Sequence, residues 1–181
     1  MTPRGKYLIA PYGDEYNNTK MIGETSFVVN TSIEDAKYVN RIGVVLSSPK
    51  NFEIPEGSLV VVHHNVFRTY LDMKGRQRKS NEYFRDGQYL VNPEKIYMYN
   101  DKEGWRCTKE FVFISPSSYV QDDKIYRADK QEEEHVGIVK HSSFHPKGAR
   151  VGFTKNSEYE FEVDGEKVYR MRASDICLKF I

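Results

Sequence analysis

Two stretches of this chain, Arg41-Ile-Gly-Val-Val-Leu-Ser-Ser48 and His135-Val-Gly-Ile-Val-Lys-His-Ser142, share one pattern. Each places a glycine between aliphatic residues near the start of a short apolar run. Runs of this length that are rich in β-branched side chains are typical of β-strands. Because one stretch lies in each half of the chain, the pair predicts that a small β-domain occurs twice.

Two further pairs of segments support the repeat because they follow in the same order. Gly57-Ser-Leu-Val-Val-Val-His-His-Asn65 matches Gly148-Ala-Arg-Val-Gly-Phe-Thr-Lys-Asn156 in its turn, its strand and its final Asn. The segments 89–98 and 169–178 match as a strand, a polar or proline turn and a returning apolar strand. Three blocks in one order indicate divergence from a duplicated domain, with chance similarity between strands as the alternative.

The chain has 181 residues, enough for one ordinary domain or two small ones. Short apolar runs bounded by Gly, Pro, Asn and Asp recur along its length and predict an all-β protein. The polar, glycine-containing stretch Asn100–Gly104 suits a short linker. We therefore predict two domains, residues 1–100 and residues 105–181.

Composition excludes several classes of protein. With 27 Lys and Arg against 26 Asp and Glu, the net charge of +1 provides no global field for nucleic acid or an anionic membrane. Nucleic acid is therefore an improbable partner for the surface as a whole. Two cysteines are too few for a disulfide framework, and no apolar run approaches signal-peptide or membrane-spanning length. We expect a soluble, cytoplasmic protein that has no membrane partner.

No phosphate-binding loop, nucleophile elbow or other paired catalytic motif occurs in the sequence. We predict a binding protein that is not an enzyme, with no catalytic residues and no cofactor. His63 and His64 are adjacent, and neighbouring strand residues face opposite sides, so they are not expected to share a metal ion. His135, His141 and His145 lack the spacing of a metal motif, and no metal site is predicted.

The end of the second repeat carries a family resemblance. Gly148 begins a strand, a polar hairpin follows, and the segment from Gly165 leads to Ser174-Asp-Ile-Cys-Leu178. This resembles the GroES co-chaperonin family, in which a glycine-initiated strand precedes a closing "S-D-I-L" segment. The first repeat is similar to the same family in the order of its strands and of the long polar loop that follows the first one. The resemblance implies two tandem GroES-like β-barrels.

In that family the long loop after the first strand is mobile until an apolar tripeptide docks on the chaperonin ring. Here the polar segment Asp14–Asn40 contains one apolar triplet, Phe27-Val28-Val29. The resemblance implies that these three residues bind a chaperonin. The alternative is an ordinary edge strand that packs on its own barrel.

The corresponding stretch of the second repeat, Ser117–Glu134, departs from this pattern because it has no apolar triplet and offers the pair Ile125-Tyr126 instead. We therefore expect one working loop per chain. The resemblance further implies that terminal strands of neighbouring subunits pair in a ring. The residues expected at a subunit or domain interface are Leu8, Ile9, Leu178, Phe180 and Ile181.

These observations predict a homo-oligomeric co-chaperonin that caps a GroEL-like chaperonin ring and assists ATP-dependent protein folding. One alternative is a virus-type structural or assembly protein that uses the same barrel. Another is a nucleic-acid-binding β-barrel that uses the basic, aromatic-flanked cluster Met73–Ser80. Gly75 sits where a turn requires it, so the same cluster also fits a solvated hairpin tip.

Overall fold

A computed structural model describes residues 3–22, 24–28, 35–50, 54–108, 110–118 and 132–180. The chain divides into two compact units, Met1–Gly104 and Trp105–Ile181. The described residues form β-strands and two short 3-10 turns, with no α-helix among them, which confirms the all-β prediction. Within this described part, no helix has the length and hydrophobicity that a membrane crossing needs.

Six strands of the first unit lie side by side in one antiparallel sheet, in the order β10-β5-β4-β1-β9-β8. Two separate two-stranded hairpins, β2-β3 and β6-β7, extend from its connections. A 3-10 turn, Pro93–Lys95, links β9 to β10. The strands are β1 Tyr7–Pro11, β2 Thr19–Ile22, β3 Thr25–Val28, β4 Ile42–Ser47, β5 Leu59–Val62, β6 Thr69–Leu71, β7 Gln77–Lys79, β8 Tyr83–Arg85, β9 Gln88–Val91 and β10 Ile96–Asp101.

The second unit has a six-stranded antiparallel sheet in the order β15-β16-β12-β13-β14-β17. A 3-10 turn, Ala173–Asp175, links β16 to β17. The strands are β11 Gly104–Cys107, which begins at the unit boundary, β12 Phe111–Ser118, β13 Glu132–Ser142, β14 Arg150–Phe153, β15 Tyr159–Val163, β16 Glu166–Arg172 and β17 Ile176–Lys179.

The two sheets have the same topology. Read from the opposite end, the second sheet runs β17-β14-β13-β12-β16-β15, which matches the six-strand order of the first unit in both chain order and spatial order. A 3-10 turn precedes the last strand of each sheet. The segments that resemble each other in sequence therefore lie on corresponding strands, β4 with β13, β5 with β14, and β9–β10 with β16–β17.

The register of the strands matches as well. In the first unit Ile9 lies opposite Val45 on one side and Tyr89 on the other, directly after a register shift in β1. The second unit has a register shift at the same place in β12, followed by the equivalent trio. That trio is Ile114, Val139 and Tyr169. Shared β-bulges are specific features of a fold, so their recurrence indicates two copies of one domain.

The cores follow from strand alternation, which turns every second side chain inward. In the first unit the rings of Phe67 and Tyr89 meet edge to face at 4.9 Å, and both side chains are fully buried. Phe113 and Phe161 make a similar contact at 5.9 Å in the second unit. No hydrogen-bonded pairing closes either sheet among the described residues, so the barrel form of each unit stays a prediction.

Candidate functional site

The segment 14–40, which we call the arm, contains a β-hairpin of its own. Strands β2 and β3 pair antiparallel, with Thr19 opposite Val28 and Ile22 opposite Thr25. Phe27 is 49% exposed and Val28 is 61% exposed, and neither belongs to the hydrophobic core of the first unit. Val29 lies outside the described residues. The described part of the predicted triplet is thus an exposed apolar pair at the end of β3 that does not pack in the core.

The base of the arm is fixed by Asn40, one of few buried polar residues in the first unit. Its side-chain amide donates to the carbonyl oxygens of Tyr12, at 2.9 Å, and Asp14, at 2.8 Å. Its carbonyl oxygen accepts the Ile42 N–H at 2.9 Å. One side chain therefore joins the chain entering the arm to the chain leaving it, and sets where the arm departs from the sheet.

Tyr16 adds a second fixed point. Its hydroxyl accepts the Thr69 N–H at 2.8 Å and lies 3.2 Å from the Thr69 carbonyl oxygen, to which it donates. Tyr16 also forms an isolated β-bridge with Val39, and the Asn17 N–H donates to the Tyr38 carbonyl at 2.7 Å. The chain that enters the arm and the chain that leaves it are therefore paired with each other at the base.

A third contact ties the arm to the sheet through Glu15. The hydroxyl of Tyr89, on β9, donates to Glu15 Oε1 at 2.7 Å, and the Lys79 ammonium pairs with Glu15 Oε2. Burial and the hydrogen bond to this carboxylate both raise the pKa of Tyr89. The tyrosine therefore stays a neutral donor throughout the physiological range.

The second unit repeats this tyrosine–carboxylate pair at the base of its own loop. Tyr169 lies at the β16 position that matches Tyr89 and donates to Glu132 Oε2 at 2.6 Å. Lys167 Nζ donates to Glu132 Oε1 at 2.8 Å. Burial opposes ionisation of Glu132, but the hydrogen bonds from Lys167 and Tyr169 outweigh it and lower its pKa.

A second hydrogen-bonded carboxylate, Glu133, lies next to Glu132. Glu133 receives two hydrogen bonds from Arg150 Nη2, at 2.6 and 2.7 Å, and one from Ser117 Oγ at 3.1 Å. The Arg150 guanidinium holds the pKa of Glu133 below its usual range. Ile125 and Tyr126, the apolar pair of this loop, lie outside the described residues.

The predicted interface residues fall into two groups. Leu8 and Ile9 are buried, and β1 has strand partners on both edges, so both residues serve the interior of the first unit. Leu178 is 60% exposed and Phe180 is 40% exposed, on or beside β17 at the end of the second sheet. Ile181 lies outside the described residues.

The basic cluster forms the tip of the β6-β7 hairpin. Asp72 Oδ1 accepts the backbone N–H groups of Lys74 and Arg76, each at 2.9 Å, and Asp72 Oδ2 accepts Arg78 Nε at 3.2 Å. Gly75 has a φ of 71°, a left-handed conformation that favours glycine. The hydrogen bond from the Arg76 N–H is the largest influence that lowers the pKa of Asp72. The cluster is thus a well-defined turn, as one interpretation of the sequence expected.

The histidine pair is placed differently from the expectation. Strand β5 ends at Val62, so alternation does not govern His63 and His64, and their rings stack with centroids 4.1 Å apart. The Asn65 N–H donates to His63 Nδ1 at 3.0 Å, which occupies that nitrogen with a structural hydrogen bond. Among the described residues, no three His, Cys, Asp or Glu side chains group in a way that could hold a metal ion.

Asn40 and the two tyrosine–carboxylate pairs are site features that the sequence did not reveal. A buried asparagine and a donor tyrosine look ordinary in sequence, and only the matched positions of Tyr89 and Tyr169 offered a signal. Comparison of the chain with protein-family models and with curated proteins finds no match.

Proposed function

We propose that this chain is a co-chaperonin made of two tandem GroES-like β-barrels, and that its arm docks on a chaperonin ring. The observation that carries the proposal is the exposed apolar pair Phe27 and Val28 on a hairpin whose base is fixed by Asn40. An exposed apolar pair on an otherwise polar segment marks a surface that a partner covers. An apolar groove that accepts an extended segment would cover these two side chains.

The tandem-barrel part of the proposal is supported by the shared topology, the matching register shifts and the matching 3-10 turns of the two units. These features make the resemblance to one family, seen in both halves of the sequence, consistent with a duplicated ancestor. The sequence resemblance supports a GroES-like barrel, and the equivalent strands of the two halves support its duplication.

Avidity explains why a short apolar segment suffices. One docked arm buries few side chains and gives up conformational freedom, so a single contact is weak and reversible. Several identical arms on one ring raise the total affinity by orders of magnitude without a new contact. The exposed edge strand β17, with Leu178 and Phe180, provides a surface through which copies of the chain associate.

In this proposal the ATP chemistry belongs to the chaperonin, and the chain itself supplies binding surfaces. The second loop contributes less to docking because Glu132 and Glu133, at its base, are ionised and hydrogen-bonded. Moving such carboxylates into an apolar groove costs free energy unless their partners move with them.

The test is capture of a chaperonin ring by the intact chain in the presence of ATP, measured by sedimentation. Phe27→Asp should abolish capture, because burying an unpaired carboxylate in an apolar groove costs far more than the roughly 2–7 kcal/mol that an unpaired amide or hydroxyl costs. Phe144→Asp is the matched control, since Phe144 is 60% exposed in the second unit. That variant should capture the ring like the original chain.

Equal loss from both variants would contradict docking through the arm. If the chain forms rings that never bind a chaperonin, the structural or assembly alternative replaces the co-chaperonin proposal.

A further inference from the structure

The two units share a scaffold but differ in one connection, which we call the insertion. In the first unit residues 63–82 join β5 to β8, whereas residues 154–158 make the equivalent connection in the second. Val66 and Phe67, early in the insertion, are fully buried and complete the first core. The β6-β7 hairpin beyond them is almost entirely exposed. A hairpin that the shared sheet does not require is a natural place for an added binding function.

The insertion concentrates positive charge. Its five cations, against the two carboxylates of Asp72 and Glu82, give the insertion a net charge of +3 in a chain whose total is +1. The remainder of the chain is therefore net −2. The cations of the insertion are Arg68, Lys74, Arg76, Arg78 and Lys79.

Both carboxylates are engaged within the first unit. Asp72 braces the turn by accepting the N–H groups of Lys74 and Arg76, and Glu82 pairs with Lys95. The Asp72 carboxylate therefore holds the turn in one conformation, and the side chains of Lys74 and Arg76 that follow it are cationic. A preorganised cationic tip loses less entropy on binding an anion than a flexible one would.

Aromatic surface lies beside these cations. Tyr70 is 39% exposed and sits directly opposite Arg78 in the β6-β7 register, so both side chains share one face of the hairpin. Phe84, on β8, is 40% exposed, and the Arg85 guanidinium lies 5.1 Å from its ring centroid. Exposed rings next to guanidinium groups suit the stacking of nucleobases.

An open pocket of about 440 Å³ adjoins the hairpin. Tyr70 and Arg68 line it together with the polar side chains of Asn65, Ser80 and Asn81. Side-chain amides donate and accept hydrogen bonds, so they can pair with the edge of an unstacked base. Glu82 and Lys95 also line the pocket and are paired with each other, so the pocket combines a ring, a cation and base-pairing groups with one internal ion pair.

We propose that the β6-β7 hairpin and its pocket bind single-stranded nucleic acid. Lys74 and Arg76 contact phosphates, and Tyr70 stacks on a base that enters the pocket. An acidic protein segment would use the cations but would leave the ring and the amides without a role. A duplex keeps its bases stacked inside and offers Tyr70 no ring to contact. This binding is separate from the chaperonin docking proposed above.

The experiment measures fluorescence anisotropy of a labelled thymidine oligonucleotide of about 12 nucleotides with the full chain. We expect affinity to fall at least about tenfold between about 50 and 200 mM salt, because several phosphates release counterions. The charge-reversal pair Lys74→Glu with Arg76→Glu should weaken binding at least about tenfold. Its matched control, Lys102→Glu with Lys155→Glu, reverses two exposed lysines in turns outside the insertion and should change affinity less than about twofold.

Tyr70→Leu separates nucleic acid from other polyanions. We expect it to weaken oligonucleotide binding several-fold, about the effect of losing one stacked base, at unchanged charge. Competition with polyglutamate of matched charge should be much weaker than competition with unlabelled oligonucleotide. Equal competition together with an unaffected Tyr70→Leu variant would show a general polyanion surface and overturn the proposal. Absence of binding at about 50 mM salt, or equal loss in the control pair, would overturn it as well.

Discussion

Gly43 and Gly137 occupy the same position in the two sheets, opposite Pro11 of β1 and Pro116 of β12 respectively. A Cβ atom at Gly43 would lie 2.6 Å from Ile9 Cγ2 and 2.9 Å from the Ala10 carbonyl oxygen. A Cβ atom at Gly137 would lie 2.5 Å from Ile114 Cδ1 and 2.9 Å from the carbonyl oxygen of Ser115. The close approach of two strands at this point therefore requires glycine in both copies.

The first prediction follows from this contact. Gly43→Ala and Gly137→Ala should each lower the free energy of unfolding by about 1–3 kcal/mol, because a main-chain oxygen cannot move aside as a side chain can. Gly152→Ala is the control, since its Cβ would meet only the Leu178 side chain, at 3.1 Å or more, and that side chain is 60% exposed. Urea denaturation measures all three. If Gly152→Ala lowered the free energy of unfolding as much as the other two substitutions, this explanation would be refuted.

The sequence predicted the all-β class and aligned segments that lie on equivalent strands, because glycine position and aliphatic pattern are local properties. It did not predict strand β2, and it offered a strand at Phe27–Val29, where β3 ends, only as the alternative to a mobile loop, because the segment lacks strict alternation of apolar and polar residues. The expectation that His63 and His64 face opposite sides was wrong, because the strand ends at Val62 and the two rings stack beyond it. The Asn40 contacts join residues that are 26 and 28 positions apart, which no local pattern encodes.

The second prediction concerns Asn40. Asn40→Ala would leave the carbonyl groups of Tyr12 and Asp14 without their amide donor, at a cost of about 1–3 kcal/mol for a buried group. Asn40→Asp should destabilise more at neutral pH, because an anionic oxygen would replace the donor opposite two carbonyl oxygens. Thermal unfolding at pH 7 compares the variants. An aspartate variant as stable as the original chain would rule out this role for the amide.

The third prediction is a pH dependence in the second unit. Hydrogen bonds to Lys167 and Tyr169 outweigh burial and lower the folded-state pKa of Glu132. A group with a lowered folded pKa contributes stability that is present above its unfolded value, about 4.3, and is lost as the pH falls through the folded pKa. Glu132→Gln should therefore lower the melting temperature at pH 7 and show a smaller further loss on acidification.

Glu160→Gln controls for this effect, because Glu160 lies 3.4 Å from Lys167 but is more exposed than Glu132. Its melting temperature should follow that of the original chain across the acid range. Identical pH profiles for Glu132→Gln and the original chain would contradict the assignment of acid sensitivity to Glu132.

The fourth prediction uses the two free cysteines, Cys107, which is buried, and Cys177, which is exposed. Burial raises the pKa of the Cys107 thiol to about 12, so little reactive thiolate forms near neutral pH. A thiol reagent at pH 8 should modify Cys177 quickly and Cys107 only as the second unit opens. In Cys177→Ser, mass spectrometry should show that the remaining thiol, Cys107, is modified slowly. Rapid modification of Cys107 would contradict its burial.

The last prediction tests association through β17. This strand ends the second sheet, with β14 on one side, and among the described residues its other edge has no strand partner. The Phe180 N–H donates to the Arg150 carbonyl at 3.0 Å, and the Arg150 guanidinium lies 4.8 Å from the Phe180 ring, so Phe180 stays on β14. Leu178, by contrast, is 60% exposed and makes this edge apolar.

Edges of this kind invite pairing with another chain, and a charge on the edge prevents it. Leu178→Arg should therefore reduce the sedimentation mass toward that of a single chain, while the free energy of unfolding changes by less than about 0.5 kcal/mol, as for other surface substitutions. Phe144→Arg places the same charge on an equally exposed apolar residue outside β17 and should leave the assembly intact. Loss of assembly in both variants, or a chain that is monomeric before any substitution, would rule out ring formation through this edge. Because capping depends on several arms acting together, the monomeric Leu178→Arg variant should also lose chaperonin capture even though Phe27 and Val28 are unchanged.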